Sequence, residues 1–317
     1  MVLLGSGEST YEVSGEDWGN LPEGWTYKEA TAVAVDSNDN VYVFNRGGHP
    51  VIVFDREGNF LRSWGEGMFG MPHGIAVGPD DTVFCADTKE HTVRKFTLDG
   101  KLLMTLGEKG QPSSAMSGEP FNRPTHVVAD PRNGDIYVAD GYRNARVHKY
   151  SPDGRYMFSW GESGTDPGQF NIVHNIDMDG DGRVYVADRE NRRIQIFDSN
   201  GKFETQWVNL SKAAGVCVDK RGDGLAYVGE YFAGIDSNLM GLHLGPRVTI
   251  FDKSGSVKAR LSDHPSGPEA GRFYAPHGMA VDSRGDIYVA EVSWAEYGQG
   301  KGPPYELRSM QKLVRQS

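Results

Sequence analysis

One repeating pattern constrains this chain more than any other property of its sequence. A short apolar segment leads into a turn rich in Asp, Asn and Gly, and a second segment then reads Val/Ile-Tyr-Val-Ala-Asp or a close variant. Six copies of this pair are present, and their second segments begin at Val41, Val83, Ile136, Val184, Ala226 and Ile287. Repeats of roughly 40–50 residues are typical of propellers and other repeat architectures.

Most copies continue with two further strand-like segments, such as residues 51–55 and 60–64 in the first copy. Four short strands per repeat are typical of a β-propeller blade, so the chain is predicted to be an all-β, six-bladed β-propeller of the NHL type. The last repeat lacks a fourth strand, whereas residues 10–13 form a spare strand. We expect this N-terminal strand to complete the sixth blade and close the ring, which makes residues 1–317 a single domain.

Composition and charge exclude several classes of protein. The chain is 38% hydrophobic and 24% charged, unlike disordered or collagen-like sequences. Its net charge of −10 argues against a broad nucleic-acid surface. No apolar run is long enough to span a membrane, and the first residues lack the basic segment of a signal peptide. Because Cys85 and Cys217 cannot form a disulfide framework, we expect a reduced, cytoplasmic setting.

Histidine recurs at one position of the first strand in alternate repeats. Four residues before the last apolar position, the six repeats carry Thr31, His73, Thr125, His174, Ala214 and His277. First strands line the channel of a propeller, and alternate blades of six are related by about 120°, so the three imidazoles can converge. Three imidazoles with an open position hold a catalytic Zn²⁺, although other divalent metals also bind imidazole. The pattern predicts a metal site, and His126, one residue out of phase, is interpreted as structural.

Arginine and tyrosine follow the second strands, on the face where the first strands begin. Arg46, Tyr142, Arg189 and Tyr231 occupy these positions. Guanidinium groups suit carboxylates and developing negative charge, and a tyrosine beside a metal and an arginine can serve as a base. The alternative is that these side chains cap the blades through salt bridges with Asp and Glu.

Three longer segments, residues 110–120, 231–247 and 292–304, are expected to reach the same face. Long loops on one face of a rigid scaffold often carry binding residues. Their apolar side chains could line a pocket, form a partner interface or pack on themselves. These side chains are Phe232, Leu239, Met240, Leu242, Trp294 and Tyr297.

With these residues the chain resembles the peptidyl-α-hydroxyglycine α-amidating lyases, the second catalytic half of the peptide-amidating enzyme. The resemblance spans roughly residues 26–300. It rests on Phe44-Asn45-Arg46-Gly47, Pro72-His73-Gly74, Asp140-Gly141-Tyr142-Arg143-Asn144-Ala145-Arg146, Val173-His174, Ala187-Asp188-Arg189-Glu190-Asn191 and Pro276-His277-Gly278. Some of these motifs are common in NHL repeats, but the set with all three histidines is specific.

The resemblance implies a zinc-dependent carbon–nitrogen lyase that cleaves a carbinolamide, an α-hydroxy-amide, into a primary amide and glyoxylate. It implies zinc binding by His73, His174 and His277. Tyr142 would be the catalytic base, and Arg46 and Arg189 the active-site arginines. The expected partner is a small-molecule or short peptide-like substrate, without nucleic acid or membrane.

Two positions depart from the family. Gly278 stands where the family has a calcium-ligating aspartate, and Ala275 stands where it has a methionine. The first change puts a structural Ca²⁺ site in doubt, and the second puts a substrate contact in doubt. Two alternatives remain open, a zinc-dependent hydrolase that activates water at the same histidines and a non-catalytic NHL interaction module.

Overall fold

The chain folds as a six-bladed β-propeller, as its repeats predict. The structure is a computed structural model that describes residues 1–14, 18–220, 222–234, 241, 243–262, 264–299 and 307–316. In these ranges nearly all regular structure is β, with a π-helical turn at Trp294–Gly298. No helix in them is long and apolar enough to cross a membrane.

Each blade is one β-sheet, numbered here by its sequence repeat. The strands before and within the first two repeats are β1 (Leu3–Ser6), β2 (Ser9–Ser14), β3 (Ala30–Val35), β4 (Val41–Asn45), β5 (Val51–Phe54), β6 (Phe60–Trp64), β7 (Pro72–Val77), β8 (Val83–Asp87), β9 (Thr92–Phe96) and β10 (Leu102–Leu106). Blades 3 and 4 contain β11 (His126–Ala129), β12 (Ile136–Asp140), β13 (Arg146–Tyr150), β14 (Tyr156–Trp160), β15 (Val173–Met178), β16 (Val184–Asp188), β17 (Arg193–Phe197) and β18 (Phe203–Trp207). Blades 5 and 6 contain β19 (Lys212–Val218), β20 (Ala226–Tyr231), β21 (Arg247–Phe251), β22 (Val257–Leu261), β23 (Pro276–Val281), β24 (Ile287–Glu291) and β25 (Met310–Arg315).

The turn between the first two strands is built by one aspartate in three of the blades. Asp282 Oδ1 accepts hydrogen bonds from the backbone amides two and four residues later, and its Oδ2 accepts the Tyr288 hydroxyl at 3.0 Å. Asp36 and Asp179 form the same three bonds in their own blades. The carboxylate closes the turn and also gives the buried tyrosine hydroxyl of the second strand a partner.

The carboxylate at the end of the second strand anchors the segment before the first strand. Asp87 accepts the amides of Gly70 and Met71 at 2.7 and 3.0 Å, immediately before β7. Glu291 accepts the amides of the two residues before β23. The equivalent carboxylates of blades 3 to 5 also accept an amide from the chain ahead of their first strand, and all five are fully buried. The acidic residue of the repeat motif therefore fixes where the first strand starts.

Residues Trp64–Leu210 form one compact unit, which contains blades 2, 3 and 4. Each of its blades is a four-stranded sheet in sequence order. One core cluster joins apolar side chains of blades 3 and 4, including Val128, Val147 and Ile176. A second cluster joins blades 2 and 3. The inner strands are buried on both of their faces, which explains why their sequences are almost continuously apolar.

Residues Met1–Ser63 and Ser211–Ser317 form the other unit, which contains blades 1, 5 and 6. Blade 6 has the strand order β1-β2-β25-β24-β23, and β2 pairs antiparallel with β25. The prediction that an N-terminal strand completes this blade is confirmed. The structure adds β1 as a fifth, outer strand, which the sequence repeats did not indicate. Tyr11 and Val13 of β2 are buried in the core of this unit.

Candidate metal centre

Two of the three in-phase histidines lie together in the unit of blades 2 to 4. His73 is the second residue of β7, and His174 is the second residue of β15. Each is about 1% exposed, and their ring centres are 5.0 Å apart in an edge-to-face arrangement. The third histidine, His277, is the second residue of β23 in the other unit and is 3% exposed.

Backbone carbonyls orient two of these imidazoles. His73 Nδ1 lies 2.7 Å from the carbonyl oxygen of Thr125, and His277 Nδ1 lies 2.6 Å from that of Thr31. Because a carbonyl can only accept, Nδ1 carries the proton and donates it, which leaves the Nε2 lone pair available. This hydrogen-bonding pattern is typical of metal-ligating histidines. Thr31 and Thr125 occupy the same phase as the histidines, so residues of that phase supply the orienting carbonyls.

The glycine after each of these two histidines allows the neighbouring strand to approach. A Cβ atom on Gly74 would lie 2.5 Å from the Thr125 carbonyl oxygen, and one on Gly278 would lie 2.5 Å from the Ala32 Cα atom. No side chain fits at either distance. At Gly278, where the resembling family has an aspartate, this chain has no room for a carboxylate in its present backbone conformation.

The three histidines meet the distance requirement for a shared metal ion. Each can offer one ring nitrogen, and these atoms all lie within 4.8 Å of one another. Buried imidazoles whose other nitrogen is occupied by a carbonyl match the donor set that zinc prefers. The residues present therefore fit a metal ion, and imidazole alone does not decide which divalent metal it is.

Tyr142 lies against the two histidines of its own unit. Its hydroxyl oxygen is 2.9 Å from His73 Nε2 and 3.2 Å from His174 Nε2. Both imidazole rings meet the tyrosine ring nearly edge to face. The tyrosine that the family resemblance implies as the base is thus in direct contact with two predicted metal ligands.

The two predicted active-site arginines, Arg46 and Arg189, each contact a glutamate but differ in their other contacts. Arg46 Nη1 is 2.6 Å from Glu29 Oε2, and the Arg46 side chain is 16% exposed. Arg189 Nε is 2.9 Å from Glu190 Oε1, while its guanidinium carbon lies 5.8 Å from the centre of the Tyr142 ring. The structure therefore brings Arg189 to Tyr142, and each arginine is paired with a carboxylate.

Several other predicted residues lie elsewhere or play local roles. His126 packs against Gly74, and the ring of Tyr231 lies 6.2 Å from that of His277. Tyr297 packs on Tyr274 with ring centres 4.8 Å apart. Burial raises the pKa of the Cys85 thiol, which keeps it protonated inside the core. Three of the apolar side chains predicted to line or cover a pocket are outside the described residues: Leu239, Met240 and Leu242.

Sequence reasoning missed Arg123. Its guanidinium carbon lies 5.5 Å from the centre of the Tyr142 ring. Arg123 precedes the Pro-Thr dipeptide before β11, whereas the arginines predicted from the sequence follow the second strands. The feature that could have revealed it is its place two residues before the in-phase Thr125.

Comparisons with known proteins identify NHL repeats and related chains. The NHL repeat family matches residues 69–96, 121–150 and 170–197. Human NHL repeat-containing protein 3 is 32% identical over 295 residues, which cover 87% of this chain and 80% of that protein. Peptidyl-alpha-hydroxyglycine alpha-amidating lyase 1 of Drosophila melanogaster is 35% identical over 256 residues, 74% of this chain and 45% of that protein.

Among solved structures, a streptogramin B lyase superposes with a TM-score of 0.58 and covers 96% of this chain and 86% of its own. At 11% identity this likeness shows the fold alone. NHL repeat-containing protein 3 shows the family, since it is more than 30% identical and is covered over most of its length. The chain is similar to the Drosophila melanogaster amidating lyase, and it belongs to the family of NHL-repeat β-propeller proteins represented by NHL repeat-containing protein 3.

Proposed function

We propose that this protein is a metal-dependent lyase that cleaves the carbon–nitrogen bond of an α-hydroxy-amide. The observation that carries the proposal is the position of the Tyr142 hydroxyl, within 3.2 Å of the Nε2 atoms of His73 and His174. A substrate hydroxyl bound beside these nitrogens would be within reach of the tyrosine oxygen. The relative from Drosophila melanogaster that is named as an amidating lyase supports the same reaction class.

His73, His174 and His277 would hold the metal through their Nε2 atoms. Zinc, when bound, supplies a Lewis acid that stabilises negative charge on an oxygen of the substrate. The carbonyls of Thr125 and Thr31 keep two of the imidazoles in the required tautomer. Because the three side chains are buried, bulk water competes poorly with a bound substrate.

The reaction needs one proton removed from oxygen and one delivered to nitrogen. Tyr142, acting as the base, takes the proton of the carbinol hydroxyl. The electron pair of that O–H bond forms the C=O bond of glyoxylate, and the C–N bonding pair leaves with nitrogen. The nitrogen takes up a proton and becomes the primary amide, so no oxidant or reductant is required. Arg46 and Arg189 would orient the hydroxyl and carboxylate of the substrate.

The two cysteines support the expected setting of this reaction. Both cysteines are free thiols, which fits the cytoplasmic location that the sequence suggests. In such a compartment the substrate would be a small α-hydroxy-amide or a short peptide-like molecule.

The decisive experiment combines turnover with metal content. Zinc-loaded protein should release glyoxylate from N-benzoyl-α-hydroxyglycine, and Tyr142→Phe should lower kcat by at least about 100-fold because only the proton acceptor is lost. The variant should retain about one zinc per chain, measured by elemental analysis. Full activity of the variant would contradict the role of Tyr142.

Matched histidine variants test the metal ligands. His73→Ala, His174→Ala and His277→Ala should each lose the bound zinc, whereas His264→Ala, at an exposed position, should keep it. Zinc bound by wild type without glyoxylate formation, but with ester or amide hydrolysis, would favour the hydrolase alternative. Wild-type protein without bound metal would favour the interaction module.

A further inference from the structure

Arg123 places an unneutralised positive charge beside the tyrosine of the candidate centre. Its guanidinium carbon is 5.5 Å from the centre of the Tyr142 ring, and that of Arg189 is 5.8 Å from the same ring. Arg189 is paired with Glu190, and Arg46 with Glu29. Within the described ranges of the chain, the Arg123 guanidinium contacts no carboxylate or hydrogen-bond acceptor.

The backbone that carries Arg123 is held firmly in an unusual conformation. Its φ is 67°, a left-handed value that costs a non-glycine residue about 1 kcal/mol or more. The preceding amide, of Asn122, donates to both carboxylate oxygens of Asp140 at 3.1 and 3.0 Å. Two residues later, the carbonyl of Thr125 accepts from His73. One short segment therefore positions both a predicted metal ligand and this arginine.

His91 holds the amide of Arg123 itself. That amide donates to His91 Nδ1 at 3.0 Å. Burial and then the positive charge of Arg123 lower the pKa of His91, so its imidazole stays neutral and keeps Nδ1 as an acceptor at neutral pH. The backbone conformation of Arg123 is thus stabilised by two hydrogen-bonded amides, that of Asn122 to Asp140 and its own to His91.

A tyrosine ring does not satisfy a guanidinium group. The ring attracts the cation through its electron-rich face, but it leaves the five N–H donors without strong acceptors. A carboxylate satisfies them best, since it accepts two parallel hydrogen bonds. The substrate of the proposed lyase has one carboxylate, on the carbon that bears the hydroxyl.

We infer that Arg123 binds the carboxylate of the substrate and selects acids over neutral analogues. The inference rests on the proposed function and adds a residue to it. Arg46 and Arg189, which the proposed function places at the substrate, share their charge with their own glutamates. Among the described residues, Arg123 pairs with no carboxylate, so its charge and its N–H donors are available for the substrate carboxylate. Its pre-formed backbone lets the guanidinium bind with little further loss of conformational freedom.

The test compares an acid with its neutral isostere. N-benzoyl-α-hydroxyglycine and its primary amide are given to wild type, Arg123→Asn and Arg123→Lys. Asn suits the left-handed backbone, so this variant should fold. We expect KM for the acid to rise about tenfold or more in Arg123→Asn with kcat little changed, and Lys to restore part of the loss. KM for the amide should stay the same.

The control is Arg143→Asn, which removes the same charge from an exposed neighbour of Tyr142. It should leave both substrates unaffected. An equal rise of KM in Arg143→Asn, or an unchanged acid preference in Arg123→Asn, would overturn the inference.

A second measurement separates this inference from the proposed function. NMR titration of the zinc-loaded proteins with glycolate and with glycolamide requires no turnover. If wild type fails to release glyoxylate but binds glycolate more tightly than glycolamide, and Arg123→Asn loses this preference, the lyase proposal fails while Arg123 keeps its role. If wild type binds both alike, Arg123 is not an acid-binding residue.

Discussion

The residues around Tyr142 are positioned by a series of local hydrogen bonds. His91 supports the amide of Arg123, Thr125 orients His73, and His73 contacts the tyrosine hydroxyl. Each of these hydrogen bonds joins groups that are at least partly buried. Removing one partner there lowers the free energy of unfolding more than it would at the surface. Single substitutions here should therefore change function or stability in ways that can be assigned to one contact.

His91 should make stability depend on pH. Its pKa is lowered in the folded protein, chiefly by burial and then by Arg123, while Asp140, Asp87 and Glu90 oppose the shift. The unfolded chain therefore binds more protons below about pH 6.5, so the His91 contribution is complete above that pH and is lost as pH falls through the lowered folded-state pKa. In His91→Asn the free energy of unfolding should fall less steeply between about pH 7 and pH 5.

Urea unfolding at several pH values measures this difference. The matched control is His264→Asn, which changes an exposed histidine and should keep the wild-type slope. If His91→Asn and wild type had the same slope, His91 would not be the group that links protonation to folding.

At the scale of a blade, the buried carboxylate at the end of the second strand holds the backbone segment that leads into the first strand. Asp87 is fully buried and accepts four backbone amides, two of them from the segment before β7. Asp87→Ala should lower the free energy of unfolding by about 3 kcal/mol, because these amides lose their acceptor. It should also weaken zinc binding, since the freed segment leads directly into His73.

Asp80→Ala is the control within the same blade. Asp80 forms a salt bridge with Lys95 at 2.8 Å, but its side chain is 52% exposed, so its loss should cost less than about 1 kcal/mol. Urea unfolding and zinc titration of both variants make the comparison. Equal effects of the two substitutions would mean that the buried amides find other partners.

At the scale of the whole molecule, sequence reasoning succeeded where a pattern repeats and failed where a contact is unique. Strands such as β8, β12 and β16 begin and end where the Val-Tyr-Val-Ala-Asp motif predicts. The converging histidines were also predictable, because their phase in the repeat fixes their face. Arg123 and β1 were not, since no other repeat has an arginine two residues before the in-phase position and β1 lies outside the repeats. Their roles depend on side-chain and edge contacts that only the folded chain creates.

The N-terminal strand should be essential for blade 6. Deletion of residues 1–14 removes Tyr11 and Val13 from the core and uncovers the pairing edge of β25. We expect the free energy of unfolding to fall by more than about 5 kcal/mol and the protein to self-associate through the open edge. Deletion of residues 1–7 removes only β1, whose buried side chain is Leu4, and should cost far less. Urea unfolding and size-exclusion chromatography would distinguish the two, and equal stability of both truncated chains would show that β2 is dispensable.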